Sequence, residues 1–401
     1  MSQRPRGTTL AEFLPLGTAE RKLLTAVAAG EIAQFETALP ILSDETNTIR
    51  AEYIRFLAVG GDENTPIHEK GICISGGCII GLLDLQCTSI NFGILLLNCR
   101  IFEEIILNDS TVVGLLNFQG SSIAGLKADR IRCSAGLFLR NGFLSRGEVR
   151  LLGAHIVGDF NCRHGFFIEG PTGISINADG IDVSGSIYFD DGFVAAGAVR
   201  LLSAKIGGSV SCRRGVFNNQ LAMDGINVRR NVDIDQEFVA AGEVRLLGAH
   251  IQGDLSCRLG FFKSAGIALN CQSMRVNGIL FLDEIRVPNG IIFLGQAAVR
   301  TFSDDNNSAT TQRIIDGFTY STLESPRSSD ADACIRWLET QIVVDNPQIN
   351  LATTFRPQPW LCLTQLRHFA LHAREKVAEF REFLNGQTKC GAKHVRLAGI
   401  G

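Results

Sequence analysis

Hydrophobic and polar residues alternate in short bursts along most of this chain. In the stretch Ala154-His155-Ile156-Val157-Gly158-Asp159-Phe160-Asn161-Cys162, the alternating apolar set is Ala154, Ile156, Phe160 and Cys162. A period of two marks strands with one buried face. The burst recurs from Ile131, Ala154, Ile181, Ala204, Ile226, Ala249 and Met274, in steps of 23, 27, 23, 22, 23 and 25 residues. Three copies share a near-identical lead: VRLLGAHI from Val149, VRLLSAKI from Val199 and VRLLGAHI from Val244. Fainter copies run upstream through Ile101–Leu107 and Ile79–Leu85. Gly158, Gly185, Gly208, Gly253 and Gly278 interrupt the alternation where the chain must bend or approach another backbone.

Self-similarity at this period predicts an all-β solenoid, a parallel β-helix with coils of 22–25 residues. Leucine-rich repeats have a similar length but need an LxxLxLxxN frame, which is absent. About nine coils fit between Gly71 and Gly290, a rod of about 43 Å at about 4.8 Å per coil. Residues 1–70 read as a helical N-terminal cap, with helices around Ala19–Leu24 and Thr48–Leu57. Residues 291–385 read as a C-terminal α-helical region. It holds Asp316–Tyr320, a helix around Ala331–Thr340, and an αα-hairpin from Trp360–Phe369 and Ala373–Leu384. The basic tail 386–401, with Lys389, Lys393 and Arg396, is expected to be disordered.

Aligning the copies gives columns. Phe143, Phe166, Phe193, Phe238 and Phe261 fall in one, with Val216 or Phe217 filling the gap, and are expected to stack inward. A second column runs Leu139, Cys162, Phe189, Cys212, Ile234, Cys257, Leu282. Its cysteines lie on alternate coils, about 9.6 Å apart. That is too far for a disulfide or a shared zinc, so they read as small apolar plugs. A third column, Arg140, Arg163, Asp190, Arg213, Asp235, Arg258, Asp283, is expected to face outward as a ladder of alternating charge. A fourth holds Arg150, Arg200 and Arg245, with Asn177 and no obvious acid between its members. These three arginines are the candidate contact for an anionic partner.

Four blocks carry a resemblance. They are Ile49–Leu57, the repeated VRLLGAHI with its following glycine and cysteine, Asp316–Tyr320, and Arg356-Pro357-Gln358-Pro359-Trp360. Together they resemble, in order, bacterial proteins commonly labelled membrane-associated oxidoreductases. That resemblance implies redox chemistry and a membrane. The chain has no GxGxxG after a strand, no redox CxxC, no HExxH and no run of about 18 apolar residues.

Composition fits a packed body: 45% hydrophobic and 20% charged. A net charge of −3 gives no general affinity for nucleic acid, so nucleic acid is not an expected partner. No cofactor or metal site is expected. Twelve cysteines without a CxxC pair, and no signal peptide, suggest a reducing cytoplasm, with peripheral membrane contact in view of the resemblance. The leading functional expectation is a non-enzymatic repeat scaffold. It would bind a protein, or an anionic surface such as a membrane, through a β-helix face and the terminal helices. The alternative is an enzyme with its site on one face, carbohydrate-active or, by the label, an oxidoreductase, with Asp190 and Asp191 as acid and base. A DNA mimic of the pentapeptide-repeat kind would need a mostly acidic face and a strict five-residue repeat, and neither is present.

Overall fold

The computed structural model describes residues 9–304 and 312–324. The protein is a parallel β-solenoid of about eleven turns. Its chain divides into two compact units, Met1–Ala222 and Met223–Gly401. The expected helices between Ala331 and Leu384, and the basic tail, lie outside the described residues.

The first unit opens with helix α1, Thr18–Ala29, which buries Ala19, Leu23, Ala26 and Val27 along one stripe. Glu20 accepts a hydrogen bond from the Gly17 N–H at 3.1 Å, and Gly30 ends the helix at φ 67°. Helix α2 spans Ala51–Ala58. The sequence suggested that this helix would begin at Thr48. Instead Thr48–Arg50 is a strand, paired in parallel with Cys78–Ile80. Ala33 pairs likewise with Ile74, so coil structure begins well before Gly71. β-Branched Thr48 and Ile49 suit a strand at least as well as a helix, and the neighbouring strand decides.

A turn has four short sides. One turn is His155–Ile156, Phe160–Asn161, Phe166–Phe167 and Ile174–Asn177. Each side pairs in parallel with its counterpart one turn on: His155 with Asp182, Phe160 with Ile187, Phe166 with Val194, Ile176 with Val199. Two corners per turn require left-handed backbone. One takes Asn141, His164, Asp191 and Arg214, at φ of 48° to 56°. The other takes Gly153, Gly180 and Ser203.

The inward phenylalanine stack exists, but not with the expected membership. Phe143 and Phe193 are buried, whereas Phe166 is 49% exposed. The buried partners are Phe167 and Phe217. Ring centroids run 5.4 Å from Phe143 to Phe167, 5.2 Å on to Phe193 and 5.1 Å on to Phe217. The register explains this. Phe143 and Phe193 sit at the corner before a strand whose inward residue is small, Ser145 or Ala195. On alternate turns that corner is Gly165 or Gly215, and the strand supplies Phe167 or Phe217. A Cβ on Gly165 would lie 2.8 Å from the Phe167 ring. Turns therefore come in two kinds, and each leaves the space the other fills.

The second unit repeats the scheme. Phe238 and Phe262 are buried, 5.4 Å apart, while Phe261 lies partly outward. Ala240 again is the small strand residue, paired with Phe262. The coil pattern continues past Gly290, through Ile291–Phe293, Ala298–Ser303, Gln312–Ile314 and Thr319–Glu324. Earlier starts and later ends account for eleven turns instead of nine. Among the described residues no helix is long and apolar enough to cross a membrane.

Candidate functional site

The Arg150, Arg200 and Arg245 column lies on the fourth side. Each arginine has an acid, contrary to the sequence reading. Asp129, Asp179 and Asp224, 21 residues earlier in each case, meet Arg150, Arg200 and Arg245 with N···O distances of 2.5 Å. The same carboxylates accept the backbone N–H of Leu152, Leu202 and Leu247 at 3.0 to 3.2 Å. Each aspartate thus staples one turn to the next through both main chain and side chain. It sits at a corner two residues beyond the strand, out of the arginine column, so column alignment does not find it. The arginine side chains remain about a third or more exposed.

The alternating-charge column also differs from expectation. Its arginines lie toward solvent, but Asp190, Asp235 and Asp283 are buried, at 2%, 5% and 7% exposure. Asp190 accepts from Arg163 Nε at 2.6 Å and Nη2 at 3.1 Å, and from Ser211 Oγ at 2.7 Å. Asp283 accepts from Arg258 Nε at 2.7 Å and from Ser303 Oγ. The arginines lie over aromatic rings: Arg163 on Tyr188 at 4.2 Å, Arg258 on Phe281 at 3.8 Å. Asp191 is bound by Arg214, and that hydrogen bonding holds its carboxyl below the usual carboxylate range. A general acid must carry a proton at working pH. Asp191 is held ionised and Asp190 is locked to three donors, so the pair is poorly arranged for acid–base work.

The cysteine column is as aligned. Cys162, Cys212 and Cys257 are buried. Burial pushes the Cys162 and Cys257 thiols far above their ordinary pKa, which suppresses the reactive thiolate. Among the described residues no cluster of His, Cys, Asp or Glu has the arrangement of a metal site.

A cleft of about 660 Å³ lies beside the start of α1, lined by Leu16, Glu20, Arg21, Asp44 and Arg50 among others. Glu20 is its buried carboxylate. Burial alone would raise its pKa, but hydrogen bonds from Arg50 and from the Gly17 and Arg50 backbone hold it below the usual value. Arg50 Nε and Nη2 each reach Glu20 at 2.7 Å, so this pair ties α1 to the strand before α2.

The third side carries a surface that the sequence reading missed. Its outward register in the first unit is Leu144, Phe166, Val194, Val216. Two residues on in each turn stand Arg146, Ile168, Ala196 and Asn218, all exposed. Ile168 is 45% exposed, and Phe102 on an earlier turn 49%. The sequence signal was available in the paired phenylalanines: Phe166-Phe167 cannot both point inward from a strand.

The fold and these surfaces define a class, the parallel β-solenoid. Comparison with protein-family models, curated proteins and solved structures gives no match.

Proposed function

We propose that the chain is a non-enzymatic interaction scaffold that engages a protein through the third side of its β-helix. One observation carries the reading: the outward column Leu144, Phe166, Val194, Val216, flanked by exposed Ile168. Contiguous apolar surface, exposed at Phe166 and Ile168 and half-buried at Leu144, Val194 and Val216, marks an interaction site. The paired state of Arg150, Arg200 and Arg245 favours a protein partner over an anionic membrane surface, because each cation already has a carboxylate. The engagement of Asp190 and Asp191 weighs against the enzyme alternative.

The test is affinity capture from the native host with two baits, the parent and the double variant Phe166→Glu/Ile168→Glu. The variant should keep the parental melting temperature and lose proteins that the parent retains. Identical recovery by both baits would remove the third side from the function.

A further inference from the structure

We propose that Asn289 is a site of spontaneous covalent modification. In the folded protein it turns into isoaspartate and aspartate, far ahead of the two other Asn-Gly pairs among the described residues.

The dipeptide carries the chemistry. The N–H after an asparagine loses its proton to base, and its nitrogen attacks the side-chain Cγ. An N–Cγ bond forms, the Cγ–Nδ2 bond breaks, and ammonia leaves after taking a proton from solvent. Water then opens the cyclic imide at either carbonyl, breaking one of its two C–N bonds. Opening at the backbone carbonyl leaves isoaspartate, with the main chain routed through the side chain. Opening at Cγ leaves aspartate. The sum consumes one water, releases one ammonia and adds one carboxylate, with no oxidant or cofactor. Glycine in second place favours ring closure, because it has no Cβ to obstruct it.

Three such pairs occur among the described residues: Asn141-Gly142, Asn277-Gly278 and Asn289-Gly290. All three asparagines are exposed. The glycine N–H separates them. Gly142 donates to the His164 carbonyl at 2.9 Å and Gly278 to the Gly253 carbonyl at 3.0 Å, both bonds between successive turns. Their neighbours are held too: Asn141 N–H donates to the Arg163 carbonyl at 2.8 Å, and Ile279 N–H to Asp254 Oδ1 at 2.8 Å. An amide so bonded must first break from the ladder of turns, which takes a local opening. Around Asn289 the ladder is interrupted. Arg286 donates to Gly260 and Ile291 to Gly266, each at 2.9 Å. Between them no N–H of residues 287–290 donates a hydrogen bond to a described residue. This span is the corner between the third and fourth sides, from the bridge of Arg286 to Phe261 to the strand at Ile291.

Packing fixes the glycine at this corner. A Cβ on Gly290 would lie 2.3 Å from the Ser264 carbonyl oxygen and 2.7 Å from the Ala268 Cβ. Gly290 is buried against that preceding stretch, and exposed Asn289 is the residue that swings to close the ring. The swing breaks no hydrogen bond between turns. At the other two pairs, releasing the glycine N–H costs at least a hydrogen bond and the opening of a packed corner or strand. Asn289 therefore reacts at least about tenfold faster than Asn141 or Asn277.

The test is incubation of the full chain in mildly alkaline buffer, well below its melting temperature, beside an identical sample in concentrated urea. Mass spectrometry of proteolytic peptides follows each asparagine, with isoaspartyl and aspartyl forms separated by chromatography. In the folded sample the Asn289 peptide should convert at least about tenfold faster than the other two. In urea the three should convert at similar rates, because the unfolded chain presents the same dipeptide three times. Asn289→Gln should abolish the signal at this peptide on the same timescale, since glutamine must close a larger ring. That variant should keep the parental melting temperature, the side chain being exposed. Equal conversion at the three sites of the folded chain overturns the proposal. So does an Asn289 that stays intact when folded and reacts only in urea. A preference for Asn289 that persists undiminished in urea overturns it too, because the cause would then be local sequence and not the unbonded corner.

Discussion

Single residues hold the two kinds of turn apart, and the glycine before each odd phenylalanine shows how. A Cβ on Gly215 would meet the Phe189 carbonyl oxygen at 2.5 Å, the Cys212 oxygen at 3.0 Å and the Phe217 ring at 3.1 Å. Backbone atoms cannot yield as a side-chain tip can, so Gly215→Ala should cost about 1–3 kcal/mol in urea unfolding, as overpacking does. Phe193→Ala, which empties the complementary corner, should cost about 3–5 kcal/mol. Equal melting of parent and Gly215→Ala would remove the close-packing argument. The buried thiols give a pH dependence. Burial pushes the Cys99 pKa up to about 12, and raises those of Cys162 and Cys257 well above their ordinary value. The folded state keeps these protons when the unfolded chain, near an ordinary pKa of about 8.5, gives them up. Stability is therefore full below about pH 8.5 and falls as the pH rises toward the folded values, by about 1.4 kcal/mol per pH unit for each such thiol. Urea midpoints from pH 7 to 10.5 should show the decline, and Cys99→Ala should make it shallower by one thiol. The in–out alternation was legible in the sequence at Phe160 and Cys162, where one apolar residue stands between polar ones. At Phe166-Phe167 and Phe261-Phe262 it was not, because two equal neighbours give no phase to a period of two.

Between strands and corners, the recurring device is the aspartate that crosses one turn to bind an arginine and a backbone N–H together. Its two functions can be separated. Arg200→Ala removes a partly exposed ion pair and should cost no more than about 1 kcal/mol. Asp179→Ala also leaves the Leu202 N–H without its acceptor at 3.0 Å and should cost about 1–3 kcal/mol. Asp179→Asn, which retains an acceptor, should fall between the two. If Arg200→Ala proves the more damaging by thermal melt, the carboxylate's bond to the main chain is not what matters. This device was invisible to column reading for a geometric reason. Arg150, Arg200 and Arg245 share a strand register, while Asp129, Asp179 and Asp224 occupy corners, where the sequence carries no alternation to fix position. The start of α2 was misplaced for a related cause. Thr48–Arg50 lies in a stretch whose local preference is ambiguous, and pairing with Cys78–Ile80, thirty residues on, settles it.

At the scale of the whole molecule, the turns from Phe143 to Phe262 are built in pairs, whereas the turns before them repeat one inward residue at Ile79, Ile101 and Ile123. In the first unit, Phe143 and Phe193 mark one kind of turn and Phe167 and Phe217 the other. The aspartates of the staples come from one kind and the arginines from the other. Removing residues 155–204 joins Ala154 to Lys205 and deletes two turns, leaving both alternations intact. Removing residues 155–181 joins Ala154 to Asp182 and deletes one. The second change stacks Phe143 on Phe193 and Ser145 on Ala195, crowding one corner and emptying the other, and sets Arg150 beside Arg200 without Asp179. The longer deletion should still melt cooperatively by calorimetry, and the shorter should melt far lower or fail to fold, although it removes fewer residues. The reverse order of stability would show that single turns are interchangeable. The number of turns was harder to read than their kind, since the outer coils at Ala33–Arg50 and Ile291–Glu324 lack the VRLLGAHI lead that makes the central ones conspicuous. The alternation also bears on how such a chain can be inherited. The leads at Val149 and Val199 are near-duplicates fifty codons apart, the spacing at which misaligned gene copies exchange. A crossover between them gains or loses two turns at once, so the lineage can lengthen or shorten its protein in even steps without ever passing through a misfolded ancestor.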